Sequence, residues 1–252
     1  MFDLHMHTVW SDGKNTAEEM VQEAIRRGLD TVGISDHSSG DPCGMALAQS
    51  GDYRAEIAEL KRKYAGRIRV LCGLERDYLT DDFGPYDYTI GSVHWLRMPD
   101  GHRVSIDWTA EKQREGAEKY FGGDFYALAE AYYDTVSRVA EVTKCDIIGH
   151  FDLITKFNEQ MPVYDTRHPR YVRAWRKAAD ALLKTGLPFE INTGAVSRGY
   201  RTSPYPDGEI CRYLLDRGAR LIFSSDAHAK ENIAFGFETL AAAWPDPGTC
   251  PF

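Results

Sequence analysis

Histidines and carboxylates recur along this sequence at spacings that suit metal ions. His5-Met6-His7 near the start and Asp226-Ala227-His228 near the end each put two possible ligands two residues apart. In extended backbone, residues i and i+2 share a face, so both side chains of each pair can reach one ion. His37, His94 and His150 lie between these pairs, together with the carboxylates Asp12, Asp36 and Glu75. A lone histidine is more often a hydrogen-bonded structural residue than a ligand. H-x-H combined with D-x-H and further ligands elsewhere is a much stronger signal, and mixed imidazole and carboxylate donors suit zinc, manganese or iron. Neighbouring divalent ions activate water and take up phosphate charge, so the chemistry expected is hydrolysis of a phosphate ester.

Cationic donors should meet the phosphate, since an arginine fork matches its oxygens. Arg198 is the first candidate, in a loop with Gly194, Gly199 and Arg201, and Lys156 follows the His150 segment in a comparable position. Asp226 and His228 count as catalytic residues as well as ligands. Other chemistries lack their motifs. No serine or cysteine sits at a strand-to-helix elbow. Gly122-Gly123 has neither the spacing nor the flanking strand of a dinucleotide fingerprint. His102 and His168 fall in loop or helix-start segments and read as surface residues.

Positioning such scattered ligands requires a particular framework. Short apolar runs predict seven strands, at Phe2–His5, Thr31–Ser35, Val70–Leu74, Tyr88–Val93, Asp146–Gly149, Phe189–Asn192 and Leu221–Ser224. Helices are predicted between most of them, at Thr16–Arg27, Tyr53–Tyr64, Asp124–Thr143, Tyr171–Lys184 and Glu209–Arg217. The alternation implies parallel strands joined by right-handed crossovers, in a closed barrel or an open sheet, and seven strands favour closure. His5, His7, His37, His94, His150 and His228 all fall at or just past a strand's C-terminal end, the functional face of such barrels. Trp95–Gly123 reads as an inserted loop with a helix, within one domain spanning 1–252.

Composition narrows the partners. The net charge of -8 argues against a broad nucleic-acid footprint, which relies on clustered Lys and Arg. Five scattered cysteines without a C-x-x-C pair read as reduced thiols, and no apolar run is long enough to cross a bilayer. His5 comes too early to leave room for a signal peptide, so a cytoplasmic location is expected. The expected partner is a small-molecule phosphate ester, with no nucleic acid and no membrane; the oligomeric state is left open.

In combination the motifs resemble the polymerase and histidinol phosphatase (PHP) family, specifically its histidinol-phosphatase branch, over nearly the whole chain. The resemblance rests on Asp3-Leu4-His5-Met6-His7-Thr8 with Ser11-Asp12-Gly13, on Gly33-Ile34-Ser35-Asp36-His37 and on Gly73-Leu74-Glu75. It continues in Ile90-Gly91-Ser92-Val93-His94, Gly149-His150-Phe151-Asp152-Leu153, Glu190-Ile191-Asn192-Thr193 and Ser224-Ser225-Asp226-Ala227-His228. It implies a distorted (β/α)7 TIM-like barrel, an α/β fold holding two to three divalent ions (Zn, Mn or Fe). Carried over by position, His5, His7, Glu75 and Asp226 hold the first ion, and Glu75, His94 and His150 the second. Asp12, His37 and His228 hold the third, and Glu75 bridges two ions. The resemblance also implies the substrate, L-histidinol phosphate, with Tyr126, Trp95 and Glu231 among residue types suited to its amine and imidazole. The alternatives are another small phosphate ester, a nuclease of the kind attached to DNA polymerases, or a metal-binding scaffold without activity.

Overall fold

In the computed structural model, which describes residues 1–39, 41–244 and 250–252, a seven-stranded parallel sheet runs in chain order and curls towards closure. Its strands are β1 (Phe2–Asp3), β2 (Thr31–Ile34), β3 (Arg69–Asp77), β4 (Tyr88–Ser92), β7 (Ile147–Ile148), β8 (Phe189–Asn192) and β9 (Leu221–Ser224); β5 (Trp95–Arg97) and β6 (Arg103–Ser105) form a separate hairpin. Every residue of β2, β4, β8 and β9 is buried, as expected of strands covered on both faces.

The seam lies between the first and last strands. Past β1, Met6 O accepts Ser35 N at 2.9 Å on one side, while on the other His7 N donates to Ala227 O at 2.9 Å and Ala227 N to His5 O at 3.2 Å. Asp3, fully buried, accepts Ser225 N at 3.1 Å and Ala234 N at 2.9 Å. One bridge and a buried carboxylate therefore join the edges where a full ladder would otherwise run, which is the distortion of the barrel. β1 itself is shorter than the predicted Phe2–His5.

Below the ligand residues the interior is apolar, filled by Leu4, Leu71, Tyr88, Ile90, Ile147 and Ile222. The Tyr88 side chain crosses the barrel floor so closely that a Cβ on Gly33 would lie 2.1 Å from its hydroxyl and one on Gly73 2.3 Å from its ring. Only glycine fits at those strand positions. The packed floor confines polar chemistry to the other end.

The helices are α1 (Ala17–Arg26), α2 (Ser50–Lys63), α3 (Ala110–Phe121), α4 (Phe125–Val136), α5 (Val139–Thr143), α6 (Pro169–Leu183), α7 (Gly194–Ser197), α8 (Gly208–Leu215) and α9 (Phe237–Ala243). α1 opens with the predicted capping box: Glu19 N donates to Thr16 Oγ1 at 3.3 Å and Thr16 N to Glu19 Oε2 at 3.0 Å. The helix predicted over Asp124–Thr143 is two helices. Asp124 is the cap of α4, and after Val136 the Ser137 hydroxyl donates to Asp134 O at 2.6 Å, where the chain turns before α5. The Trp95–Gly123 insertion is more ordered than the sequence suggests, consisting of the β5–β6 hairpin backed by α3. A Cβ on Gly116 would sit 2.3 Å from Val104 Cγ1, so hairpin and helix touch directly. All five cysteines are free thiols. Among the described residues no helix is long and apolar enough to cross a membrane.

Candidate metal centre

Glu75 stands at the middle of the site because β3 is the longest strand and carries it, almost wholly buried, into the barrel mouth. Its two oxygens face different histidines. Oε1 lies 2.8 Å from His150 Nε2 and 3.4 Å from His94 Nε2, whereas Oε2 lies 2.9 Å from His37 Nδ1, 3.3 Å from His5 Nε2 and 3.5 Å from His7 Nε2. Asp226 Oδ1 is 3.1 Å from His7 Nε2 and 3.7 Å from His5 Nε2. At the outer end, Asp12 Oδ1 is 3.3 Å from His228 Nε2 and 3.7 Å from His37 Nε2.

Every metal candidate named from the sequence thus falls in one cluster. Donor atoms lie within 4.8 Å of one another in the sets His5, His7 and Glu75; Glu75, His94 and His150; and His7, Asp12, His37 and His228. Two more sets overlap these: His5, His150 and Asp226, and His37, Asp41 and His94. Asp41 was not among the sequence candidates. It lies in the long loop after β2, where neither strand position nor a paired histidine marks it.

Local backbone explains how the ligands converge. His5 and His7 share a face as the H-x-H spacing requires, with ring centroids 5.2 Å apart. Asp226-Ala227-His228 behaves differently: Asp226 has φ of 49°, left-handed, so the chain bends after β9 and brings Ala227 onto the seam. The pair still converges, with His228 Nδ1 3.5 Å from Asp226 Oδ1, but through a turn where an extended strand was expected. Gly194 makes room for that turn, since a Cβ there would lie 2.5 Å from Asp226 Oδ2.

A second layer of acids fixes the rings. Glu190 Oε1 accepts His5 Nδ1 at 2.7 Å while Oε2 accepts His150 N at 3.1 Å. Asp77 accepts His94 N at 2.8 Å and lies 3.4 Å from His94 Nδ1. Asp36 holds the Asp12 loop by accepting Thr8 N at 2.7 Å, Thr8 Oγ1 at 2.8 Å and Ser11 Oγ at 2.6 Å. Such outer partners set the tautomer and aim of a ligand.

The electrostatics call for positive charge. Burial works to lower the pKa of His37, but Glu75, Asp41 and Asp12 outweigh it and raise it to about 9. Burial, then His228 and His37, lowers His7 to about 3. Against the burial that would raise them, facing cations hold Glu75 and Asp226 well below the usual carboxylate range; His5 is foremost for Glu75 and Arg198 for Asp226. His5 Nε2, His7 Nδ1 and His94 Nδ1 are buried without a hydrogen-bond partner. Buried polar atoms rarely stay unpaired, and divalent ions between these donors would satisfy several together. The residues present fit a multinuclear centre.

The cluster floors a cavity of about 240 Å³ whose lining includes Asp41, Cys43, Trp95, Asp107, Trp108, Lys156, Arg198 and Tyr200. Arg198 donates to Asp226 Oδ2 at 3.1 Å and lies 2.6 Å from His228 Nδ1, joining the phosphate candidate directly to the ligand set. Lys156 Nζ donates to Asp107 O at 2.8 Å and Oδ2 at 3.0 Å. Two suggested substrate contacts do not reach the cavity. Tyr126 stacks on His168 at 4.0 Å and accepts Asp165 N, and Glu231 lies beyond the seam with its carbonyl on Arg27. His102 is exposed beside Asp100, and His168 caps α6, as their loop positions suggested.

A (β/α) barrel with clustered histidines and carboxylates at its C-terminal mouth defines a metallohydrolase architecture. Residues 3–194 match the PHP domain, and the chain belongs to that family. It is 31% identical to a Deinococcus radiodurans protein named "Probable histidinol-phosphatase", over 98% of this chain and 93% of the relative. It is 28% identical to the histidinol-phosphatase of Bacillus subtilis, over 94% and 97%. The fold superposes on hisK of Listeria monocytogenes with a TM-score of 0.84 at 26% identity, covering 95% of this chain and 99% of that one. Histidinol phosphate phosphatase from Lactococcus lactis, crystallised with zinc, L-histidinol and phosphate, shares the fold at 18% identity and a TM-score of 0.68, over 99% and 94%.

Proposed function

We propose that the chain is a metal-dependent phosphomonoesterase that hydrolyses L-histidinol phosphate to L-histidinol and phosphate. The observation that carries this reading is Glu75, whose two oxygens face separate histidine sets beneath a small cavity edged by Arg198 and Lys156. Two full-length relatives named for this activity support the choice of ester.

His5, His7, Glu75 and Asp226 would hold one ion, Glu75, His94 and His150 a second, and Asp12, His37 and His228 a third. When bound, such ions supply Lewis acidity towards phosphate oxygens and lower the pKa of water. The rest of the work falls to the chain. Arg198 and Lys156 offer donors to the non-bridging oxygens, where charge builds as the ester bond breaks in line. Arg198 would reach the phosphate while keeping Asp226 and His228 in place. The apolar floor under Glu75 holds the donors in a fixed, poorly solvated frame. The small volume suits a compact ester.

The test is phosphate release from histidinol phosphate, phosphotyrosine, sugar phosphates and an aryl phosphate, together with metal analysis of the purified protein. Histidinol phosphate should lead by at least about tenfold in kcat/KM, roughly 1.4 kcal/mol of discrimination. A smaller margin overturns the substrate, and full turnover by metal-free protein overturns the mechanism.

A further inference from the structure

The cavity has a wall that the metal chemistry leaves unused. Beside the histidines, the insertion after β4 lines the cavity with Trp95, Asp107 and Trp108. The two indoles lie 6.0 Å apart with their planes 50° from parallel. Trp95 is anchored through Nε1 to Asp41 Oδ2 at 3.3 Å, and the Trp108 backbone through Ser105 Oγ at 2.9 Å. Trp108 is nonetheless 51% exposed, an unusual state for a large apolar ring on a well-ordered segment. Asp107 is pinned twice to Lys156, by its carbonyl and by Oδ2. A carboxylate set beside aromatic faces is the complement of an ammonium attached to an aromatic ring.

Substrate geometry ties these residues to particular atoms. In a 2-aminoalkyl phosphate the amine sits on the carbon next to the one bearing the ester oxygen. Its receptor must therefore lie beside the groups that take the phosphate, and Asp107 touches the phosphate candidate Lys156. The aromatic substituent lies one carbon further out, on the side where Trp95 and the exposed Trp108 line the mouth.

Building on the histidinol phosphate reading, we propose that Asp107 receives the substrate ammonium and that Trp95 and Trp108 pack its imidazole. These residues select aromatic 2-aminoalkyl phosphates over other monoesters. Asp107 does this as a specificity residue, without contact to the reacting phosphorus.

The experiment compares kcat/KM for L-histidinol phosphate with that for its deaminated counterpart, 3-(imidazol-4-yl)propyl phosphate, in the metal-loaded wild type and in Asp107→Asn. The wild type should favour the amine by tenfold or more, and the substitution should shrink that ratio by about tenfold, the scale of one charge-assisted hydrogen bond. Loss of Lys156 anchoring alone would lower both rates together, so an unchanged ratio overturns the assignment. Trp108→Ala, at an exposed position, gives an independent measure. It should raise KM for histidinol phosphate more than for 2-aminoethyl phosphate, which has no ring, and an equal effect on both removes the aromatic part. A wild type that prefers histidinol phosphate but shows an unaltered ratio in Asp107→Asn refutes only the subsite; one with no preference over an aryl phosphate refutes the substrate reading as well.

Discussion

Glu190 Oε1 sits 2.7 Å from His5 Nδ1, at the bottom of the metal cluster, and the opposite oxygen of the same carboxylate takes the backbone N–H of His150. One acid thus fixes the ring of one candidate ligand and the strand end carrying another. Glu190→Gln keeps the size but turns an amide N–H₂ towards one of two donors. Metal affinity measured by competition with a chelating dye should fall roughly ten- to hundredfold, the range for outer partners of ligating histidines. Unchanged affinity would confine Glu190 to a packing role.

Removing candidate ligands should act more strongly. Asp226→Ala and His228→Ala should each lower turnover by more than about a hundredfold, beyond the effect of an outer partner, while circular dichroism reports an intact barrel. The floor of Leu4, Tyr88 and Ile90 lies below both positions and does not depend on them. Near-normal rates in both variants would move the active site elsewhere.

Arg198→Ala should reduce kcat/KM by about ten- to hundredfold, since a charge-assisted donor to phosphate contributes roughly 1.5–3 kcal/mol. Because Arg198 also holds Asp226, inhibition by inorganic phosphate separates the two roles. A weaker phosphate inhibition constant is expected, and an unaltered one would leave Arg198 as a support for Asp226 alone.

Gly194→Ala tests the turn at the last strand. The added methyl would lie 2.5 Å from Asp226 Oδ2 and 2.8 Å from its Cβ, so the aspartate must move. Metal stoichiometry should drop in this variant although no ligand has been changed. Full loading with normal turnover would show that the turn has slack.

Protonation gives a prediction for the metal-free protein. His37 carries a pKa raised from 6.5 to about 9, so its contribution to stability is complete below pH 6.5 and is lost as pH climbs through 9. His7 is lowered from 6.5 to about 3, so folding is disfavoured as pH drops from 6.5 towards 3. The Tm of metal-free protein should therefore peak near the ordinary histidine value of 6.5 and fall on either side. With metal bound the alkaline decline should vanish, because ions replace the proton on His37. A metal-free Tm that is level from pH 6.5 to 9 would contradict the arrangement around Glu75.

Much of this architecture was legible because its signals are local. Alternating apolar runs and capping residues such as Thr16 and Glu19 report short-range physics, and ligands beside strand ends inherit their placement from the strands. Asp41, Asp107 and Trp108 gave no such signal, since their role depends on how an insertion folds over the barrel mouth. Glu190 stood in the quoted motif, yet its function required knowing which histidine lay across the barrel. Tyr126 and Glu231 were set near the site on residue type alone. Packing against His168 and on the far side of the seam placed them outside it.

The seam between Met6 and Ala227 also bears on when the centre can form. Asp3 finds two of its partners in Ser225 and Ala234, more than two hundred residues later in synthesis. While the chain is still on the ribosome, His5 and His7 are present but the wall holding Asp226 and His228 is not. Metal capture by the complete centre must then follow the last strand, and a prematurely terminated chain is left without a finished site to compete for the cell's metal supply.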